Sequence, residues 1–202
     1  MTTLTEHALP VVIESPAWPT VSMPDVALSD ERFVRAAGHA GRLLPSLVHD
    51  ALVDFADAAP QAGALVVRGV PVGALPRTPE SPTAPTDKDI VSEFVLMTAA
   101  RRLGQPVGYQ PEHGGDLVQN LVPTKASAHR QVSTSSGVDL MFHTEAAFHP
   151  HRPKYLLLLC LRGDSNAITT LSSVFEVLPL LPADVVDTLF QHGSVPPSTR
   201  AT

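Results

Sequence analysis

The chain contains 202 residues, of which 44% are apolar and 17% are charged. This apolar share can build a core, which excludes a wholly disordered chain, and the length suits one domain. The 14 basic and 20 acidic residues give a net charge of −6 without a basic run. Binding to nucleic acid or to an anionic membrane through a basic face is therefore disfavoured.

Cysteine content and apolar runs bear on the cellular location. The single Cys160 cannot form an intramolecular disulfide, which favours a reducing compartment. Residues 1–16 lack the pattern of a signal peptide. The apolar run at 155–161 is far shorter than the roughly 20 residues that span a bilayer. We therefore expect a cytoplasmic protein without a membrane segment.

The first half of the chain has the periodicity of helices. Residues 1–28 are rich in proline and predict an extended arm, after which Ser29 is a candidate helix N-cap. Pro45 separates this first helix from a second one, whose predicted end is Ala59-Pro60.

One strand and one further helix follow. The β-branched run Ala64–Val70 predicts a strand, and the proline-rich residues 71–86 predict a loop. Thr86 is a candidate N-cap for a third helix, which Gly104 ends.

The second half consists of short apolar runs between turn residues. Four strands are predicted, at 117–122, 138–142, 155–161 and 167–171. The run at 155–161 is apolar on both faces, which predicts burial on both sides. Ser173 and Glu176 form a capping box that begins a helix, and another helix follows Pro182. Helices followed by short strands predict an α+β protein whose sheet forms a sandwich or barrel.

His143 and Glu145 are the candidate site residues with the clearest chemistry. On a strand, residues two apart point to the same face, so both side chains could bind one cation. They would supply two thirds of the 2-His-1-carboxylate triad of non-haem iron enzymes. The alternative is a surface histidine hydrogen-bonded to its neighbour, and the spacing alone favours that alternative.

The sequence around this pair resembles a known enzyme family. The stretch HTEAAFHPHRPKYLLLLCLRGD at 143–164 and the following AITTLSSVFEVLPLLPADVVDTLF at 167–190 are similar to the clavaminate synthase-like branch of the iron(II)/2-oxoglutarate-dependent dioxygenases. This branch includes asparagine and arginine hydroxylases and is related to taurine dioxygenase. The resemblance covers roughly residues 100–190 and implies a double-stranded β-helix (jelly-roll, cupin-like) core behind the N-terminal helices.

The resemblance also implies roles for particular residues. His143 and Glu145 would be the first two Fe(II) ligands, and Thr170 would bind the co-substrate 2-oxoglutarate, although the adjacent Thr169 fits almost as well. Thr169 and Thr170 are also ordinary strand formers. Gln119 and Asn120 would face an amino-acid-like substrate.

Two further segments gain an interpretation from the resemblance. Ser133, in the serine-rich loop 133–136, would contact the substrate, although such a loop is an ordinary feature. His149 and His151 would form a structural turn rather than bind metal.

The family's third ligand, a distal histidine, and its 2-oxoglutarate-binding arginine are not found in this sequence. His192 and Arg200 lie in a tail without a strand pattern, so neither is assigned to these roles. The prediction is a partial dioxygenase domain at 1–190, incomplete at its C-terminus, with a frayed tail at 191–202. Its lineage implies Fe(II)/2-oxoglutarate-dependent hydroxylation of an amino acid or an amino-acid-derived small molecule. The alternatives are a catalytically inactive truncated remnant or binding subunit, and a half that needs a complementing chain.

Overall fold

Most of the regular secondary structure lies before residue 104. The computed structural model describes residues 10–58, 61–82, 87–135 and 137–191. The strands are β1 (Val11–Glu14) and β2 (Leu65–Arg68). The helices are α1 (Glu31–Ala40), α2 (Ser46–Asp57), α3 (Val91–Leu103), α4 (Val174–Val177) and α5 (Ala183–Leu189). Short 3-10 turns occupy Gly41–Leu43, His113–Gly115, Lys125–Ser127 and Leu178–Leu180.

The start of α1 differs from the prediction by one residue. Asp30, not Ser29, is the N-cap: its carboxylate accepts a hydrogen bond from the Arg32 N–H at 2.8 Å. The Arg32 guanidinium also lies 2.8 Å from this carboxylate. Both hydrogen bonds stabilise the ionised form and lower the pKa of Asp30 to about 2. An ionised carboxylate with two donors thus caps the helix in place of the predicted hydroxyl.

The second and third helices form as predicted, although two predicted boundaries, Ala59-Pro60 and Thr86, lie outside the described residues. At the start of α3, the Asp89 carboxylate accepts hydrogen bonds from the Val91 N–H at 3.1 Å and the Ala74 N–H at 2.7 Å. These bonds lower the pKa of Asp89. The loop before α3 is therefore attached to the first turn of the helix.

Strand β1 was predicted only as part of an extended arm. It pairs in parallel with β2, with Val11 opposite Leu65 and Glu14 opposite Arg68. The sheet packs on α2, where Val48 and Leu52, with Leu44 just before the helix, form a buried cluster. This cluster contacts Ile13, Trp18, Leu65, Val67, Ala99 and Leu103. Residues 11–14 of the arm are thus fixed by a long-range ladder that their own sequence does not reveal.

A second buried cluster joins α1 to α3. It contains Phe33, Ala37, Ala40, Phe94 and Met97. The rings of Phe33 and Phe94 meet edge to face with their centroids 5.5 Å apart. Both helices therefore bury the apolar faces that their periodicity predicts.

The first turn of α3 takes part in a largely buried ion pair with a lysine just before the helix. The Lys88 Nζ lies 2.6 Å from Glu93 Oε2, and both side chains are almost completely buried. Lys88 also donates to the Ser92 hydroxyl at 2.7 Å and to the Asp89 carbonyl at 2.8 Å. The charge of Lys88 is thus compensated by at least one carboxylate and two further oxygens of the described residues.

The second half of the chain departs from the prediction. Helices α4 and α5 form where predicted, and the Ser173 hydroxyl caps α4 by accepting from the Phe175 N–H. The four predicted strands, at 117–122, 138–142, 155–161 and 167–171, have no β-ladder partner among the described residues. An extended segment becomes a strand only when a neighbour pairs with it, so those four strand predictions were wrong for this structure.

The predicted burial of the run 155–161 on both faces was also wrong. Exposure alternates along it: Leu156 and Leu158 are 60% and 65% exposed, whereas Leu157 and Leu159 are half-buried. The alternation has the period of a β-strand, but nothing in the described residues covers its outer face. Helices with a small sheet agree with the α+β class, while the jelly-roll ladders are not present in the described part. None of the described helices is long and apolar enough to cross a membrane.

Candidate metal centre

The structure brings the His143 imidazole and the Glu145 carboxylate together. The His143 Nε2 lies 3.4 Å from Glu145 Oε1, and both side chains are about half exposed. Two metal–ligand bonds of about 2.1 Å can join atoms up to about 4.2 Å apart, so both atoms could reach one divalent cation. The pair therefore fits a cation bound from one side. The same distance also suits the alternative of a direct hydrogen bond between the two side chains.

The other ring nitrogen of His143 is fixed by the backbone. Its Nδ1 lies 2.8 Å from the Met141 carbonyl oxygen, which can only accept a hydrogen bond. Nδ1 therefore carries the proton, and in the neutral ring the Nε2 lone pair faces the Glu145 side. Histidine ligands of metals commonly have such a second hydrogen bond.

The same contacts influence the protonation of His143. The hydrogen bond to the Met141 carbonyl is the largest effect and raises the pKa of the imidazole. Partial burial opposes this effect, and the nearby Glu145 carboxylate adds to it. A metal would therefore compete with a proton for Nε2.

The backbone changes direction immediately after Glu145. Ala146 has a φ of 46°, in the left-handed region, and its carbonyl accepts a hydrogen bond from the His149 N–H at 2.9 Å. For a residue with a Cβ this conformation is strained. The turn separates the ligand pair from the apolar run that follows.

His149 and His151 take part in this turn, as the resemblance implied. The His149 Nδ1 accepts a hydrogen bond from the His151 N–H at 3.1 Å. Tyr109 packs on the His149 ring, with ring centroids 4.6 Å apart, and its hydroxyl donates to the His151 carbonyl at 2.6 Å. These contacts give both histidines a structural role.

The remaining predicted site residues are exposed and make no hydrogen bond to the pair within the described residues. Gln119, Asn120, Ser133 and Thr170 are all exposed, and in the described part of the chain none forms a hydrogen bond to His143 or Glu145. Leu117 and Val118 pack against the α1–α3 cluster, so that Gln119 and Asn120 follow a fixed point of the chain. The roles of these four polar residues stay predictions.

The described residues contain only part of a metal site. Across residues 10–58, 61–82, 87–135 and 137–191, no three His, Cys, Asp or Glu side chains group around a possible metal position. His192, Arg200 and Ser136 lie outside the described residues. His143 and Glu145 would therefore supply two ligands and leave the other positions of the metal open.

One contact near the pair was not predicted from the sequence. The Gln131 side chain hydrogen-bonds to the backbone of Asp139 and Met141, directly before His143. A single glutamine in a loop has no spacing or periodicity that marks it, so only the structure could reveal this contact.

The fold and the ligand pair define the class of protein. Residues 30–199 match the family model described as "Taurine catabolism dioxygenase TauD, TfdA family". Because this match covers most of the chain, the chain belongs to the TauD/TfdA dioxygenase family.

Three individual relatives show which enzymes this chain is similar to. The chain is 34% identical over 192 residues to an L-asparagine oxygenase of Streptomyces coelicolor, covering 92% of this chain and 57% of the relative. It is 37% identical over 176 residues to clavaminate synthase 2 of Streptomyces clavuligerus, covering 84% and 54% of the two chains. An L-lysine 3-hydroxylase of Catenulispora acidiphila is 36% identical over 150 residues, with 74% and 42% covered.

The fold of this chain is also similar to that of a solved structure. Asparagine oxygenase in complex with Fe(II), (2S,3S)-3-hydroxyasparagine and succinate superposes with a TM-score of 0.72 at 35% identity, over 81% of this chain and 52% of that chain. The chain thus spans about half the length of the relatives that it matches. The 3.4 Å distance alone does not distinguish the predicted metal ligands from the alternative of a surface hydrogen bond.

Proposed function

We propose that this chain supplies the first two metal ligands of an Fe(II)/2-oxoglutarate-dependent oxygenase that hydroxylates an amino acid or an amino-acid-derived small molecule. The observation that carries the proposal is the convergence of His143 Nε2 and Glu145 Oε1 in a chain of the TauD/TfdA family. The relatives named L-asparagine oxygenase and L-lysine 3-hydroxylase support the substrate class.

Each site residue has a task in this proposal. Iron with its co-substrate would supply the oxidising power for attack on an unactivated C–H bond. His143 and Glu145 would hold the metal from one side, and in the neutral ring the Met141 carbonyl would hold the proton on Nδ1, which leaves Nε2 as the ligand atom. Thr170 would bind a carboxylate of 2-oxoglutarate. Gln119, Asn120 and Ser133 would contact the polar groups of the substrate.

Residues 1–190 would form one partial domain that is completed by a complementing chain. Such a chain would supply the remaining strands, a third ligand and an arginine for 2-oxoglutarate. The uncovered apolar side chains of Leu156 and Leu158 support this arrangement, since a further strand would bury them. The single cysteine supports a cytoplasmic location.

A second candidate function is that of a binding subunit or remnant without catalysis. It is favoured by one observation: among the described residues, the metal would have two protein ligands only. Two ligands hold a ferrous ion more weakly than three.

An anaerobic titration separates the two functions. Fe(II) and 2-oxoglutarate are added to the purified chain, and the visible charge-transfer band of the chelate is recorded. The band is expected for the unaltered chain and for His39→Ala, a control on the exposed side of α1, but not for His143→Ala. Oxygen is then admitted with asparagine, lysine, arginine or ornithine, and succinate is measured. If the unaltered chain gives neither band nor succinate, the chain alone is not an enzyme.

The complementing arrangement has its own test. The chain is co-expressed with the C-terminal part of the Streptomyces coelicolor asparagine oxygenase that the similarity does not cover. Co-purification and a recovered band are expected for the unaltered chain. A variant with Leu156→Lys and Leu158→Lys should lose both. If this variant still co-purifies, the apolar run is not the contact surface.

A further inference from the structure

The Gln131 side chain contacts the backbone directly before the ligand pair. Its Nε2 donates to the Asp139 carbonyl at 2.7 Å, and its Oε1 accepts from the Met141 N–H at 2.9 Å. One carboxamide reaches both groups, so the Asp139 C=O and the Met141 N–H face the same side of the chain. These are the two groups that a neighbouring peptide would engage in a β-ladder. Gln131 therefore takes the place of a neighbouring strand for this segment.

Met141 links the Gln131 contact to the candidate metal ligand His143. Gln131 holds the N–H of Met141, and the carbonyl of Met141 accepts the hydrogen bond from His143 Nδ1 at 2.8 Å. A rotation of the Met141 backbone would turn this carbonyl away from the imidazole. The position of Gln131 therefore bears on the tautomer and the direction of His143.

Gln131 is itself held on a closed loop, which we term the serine loop (residues 124–135 with Gly137). The Thr124 N–H donates to the Thr134 carbonyl at 3.0 Å. The Ala128 carbonyl accepts from the Gly137 N–H at 2.8 Å and from the Ser135 hydroxyl at 3.0 Å. A loop closed by its own hydrogen bonds can present a side chain in a fixed direction.

We propose that Gln131 is a positioning residue that fixes the backbone at 139–141 and thereby directs the Nε2 of His143 toward the Glu145 side. It also connects the ligand pair to the serine loop, which carries the predicted substrate contact Ser133. The link to metal binding rests on the proposed function. The effects on the backbone at 139–141 and on the His143 tautomer do not depend on the proposed function.

Three variants of the full chain separate the possible roles. Gln131→Met keeps the length of the side chain but can neither donate nor accept. Gln131→Glu can still accept from the Met141 N–H but cannot donate to the Asp139 carbonyl. Arg130→Gln is the matched control, because Arg130 is an exposed neighbour on the same loop whose side chain makes no hydrogen bond within the described part of the chain.

Two measurements on the metal-free chain test the positioning role. Hydrogen–deuterium exchange reports the Met141 amide, and ¹⁵N NMR of the imidazole at pH 8 reports the His143 tautomer. Gln131→Met should speed the exchange of this amide by about fivefold, the usual value of one hydrogen bond. It should also shift His143 away from the tautomer with the proton on Nδ1. Gln131→Glu should have smaller effects, and Arg130→Gln none.

A metal titration completes the test. Binding of Fe(II) under anaerobic conditions should weaken by about tenfold in Gln131→Met, the lower end for loss of a group that orients a ligand. Unchanged exchange and an unchanged tautomer in Gln131→Met would overturn the proposal, even if the melting temperature fell. If the unaltered chain binds no Fe(II), the proposed function fails, while exchange and tautomer still decide the role of Gln131.

Discussion

The helical region at 31–103 and the site region at 105–191 are built in different ways. In the helical region Phe33 is fully buried between α1 and α3, whereas in the site region Phe148 is 79% exposed. Most of the large exposed apolar side chains also lie beyond residue 104. The helices therefore build a core from their own side chains, whereas the segments around the ligand pair leave many apolar side chains exposed.

The physical cause is the range of the hydrogen bonds that each element needs. A helix satisfies its backbone groups within four residues, so α1, α2 and α3 form once their apolar faces meet. A strand such as the run 155–161 needs a partner from a distant part of the fold. Within the described residues that partner is absent, and the apolar side chains stay exposed.

The site region is nevertheless attached to the helical region by individual hydrogen bonds. The Tyr155 hydroxyl and the Lys154 ammonium donate to the Ala56 carbonyl at 3.5 and 3.4 Å. The Arg162 guanidinium donates to the Pro76 carbonyl at 3.1 Å. Such single, mostly exposed hydrogen bonds contribute little to stability.

The largest expected effect comes from matched truncations of two phenylalanines. Phe33→Ala should lower the free energy of unfolding by about 3–5 kcal/mol, because it opens a cavity beside Phe94 and Met97. Phe148→Ala should change it by less than about 0.5 kcal/mol, because the ring is mostly exposed. Urea denaturation followed by circular dichroism measures both. Equal losses would mean that Phe148 is packed in solution and would remove the contrast between the regions.

A smaller effect is expected from matched truncations of two glutamates. Glu93→Ala removes the carboxylate that faces the buried Lys88 ammonium and should cost about 3 kcal/mol. Glu112→Ala, at an exposed position of the site region, should change stability by less than about 0.5 kcal/mol. The same denaturation experiment compares them. A cost below about 1 kcal/mol for Glu93→Ala would show that water or the neighbouring oxygens replace the lost carboxylate.

The contrast between the regions also explains what could be predicted from the sequence. The three long helices and β2 were predicted, because periodicity and turn residues are local signals. The pairing of β1 with β2 was missed, since it joins distant residues. The meeting of His143 and Glu145 was predicted for residues two apart on a strand; the side chains do meet, although residues 143–145 form no strand. Gln131 was missed because its contact depends on the shape of one loop.

The smallest expected effect concerns the left-handed residue beside the ligand pair. Ala146→Gly removes the clash of the Cβ at a φ of 46°. The gain exceeds the entropy that glycine loses, leaving about 0.5–1 kcal/mol in favour of the turn. The His149 N–H, which donates to the Ala146 carbonyl, should therefore exchange about two- to fivefold more slowly.

The neighbouring Ala147→Gly is the control, because Ala147 does not have a positive φ. There glycine brings only the entropic cost, and exchange of the His149 N–H should become faster. Opposite signs for the two variants would show that strain is stored next to Glu145, in the region with few stabilising contacts. Faster exchange in both variants would mean that Ala146 is not left-handed in solution.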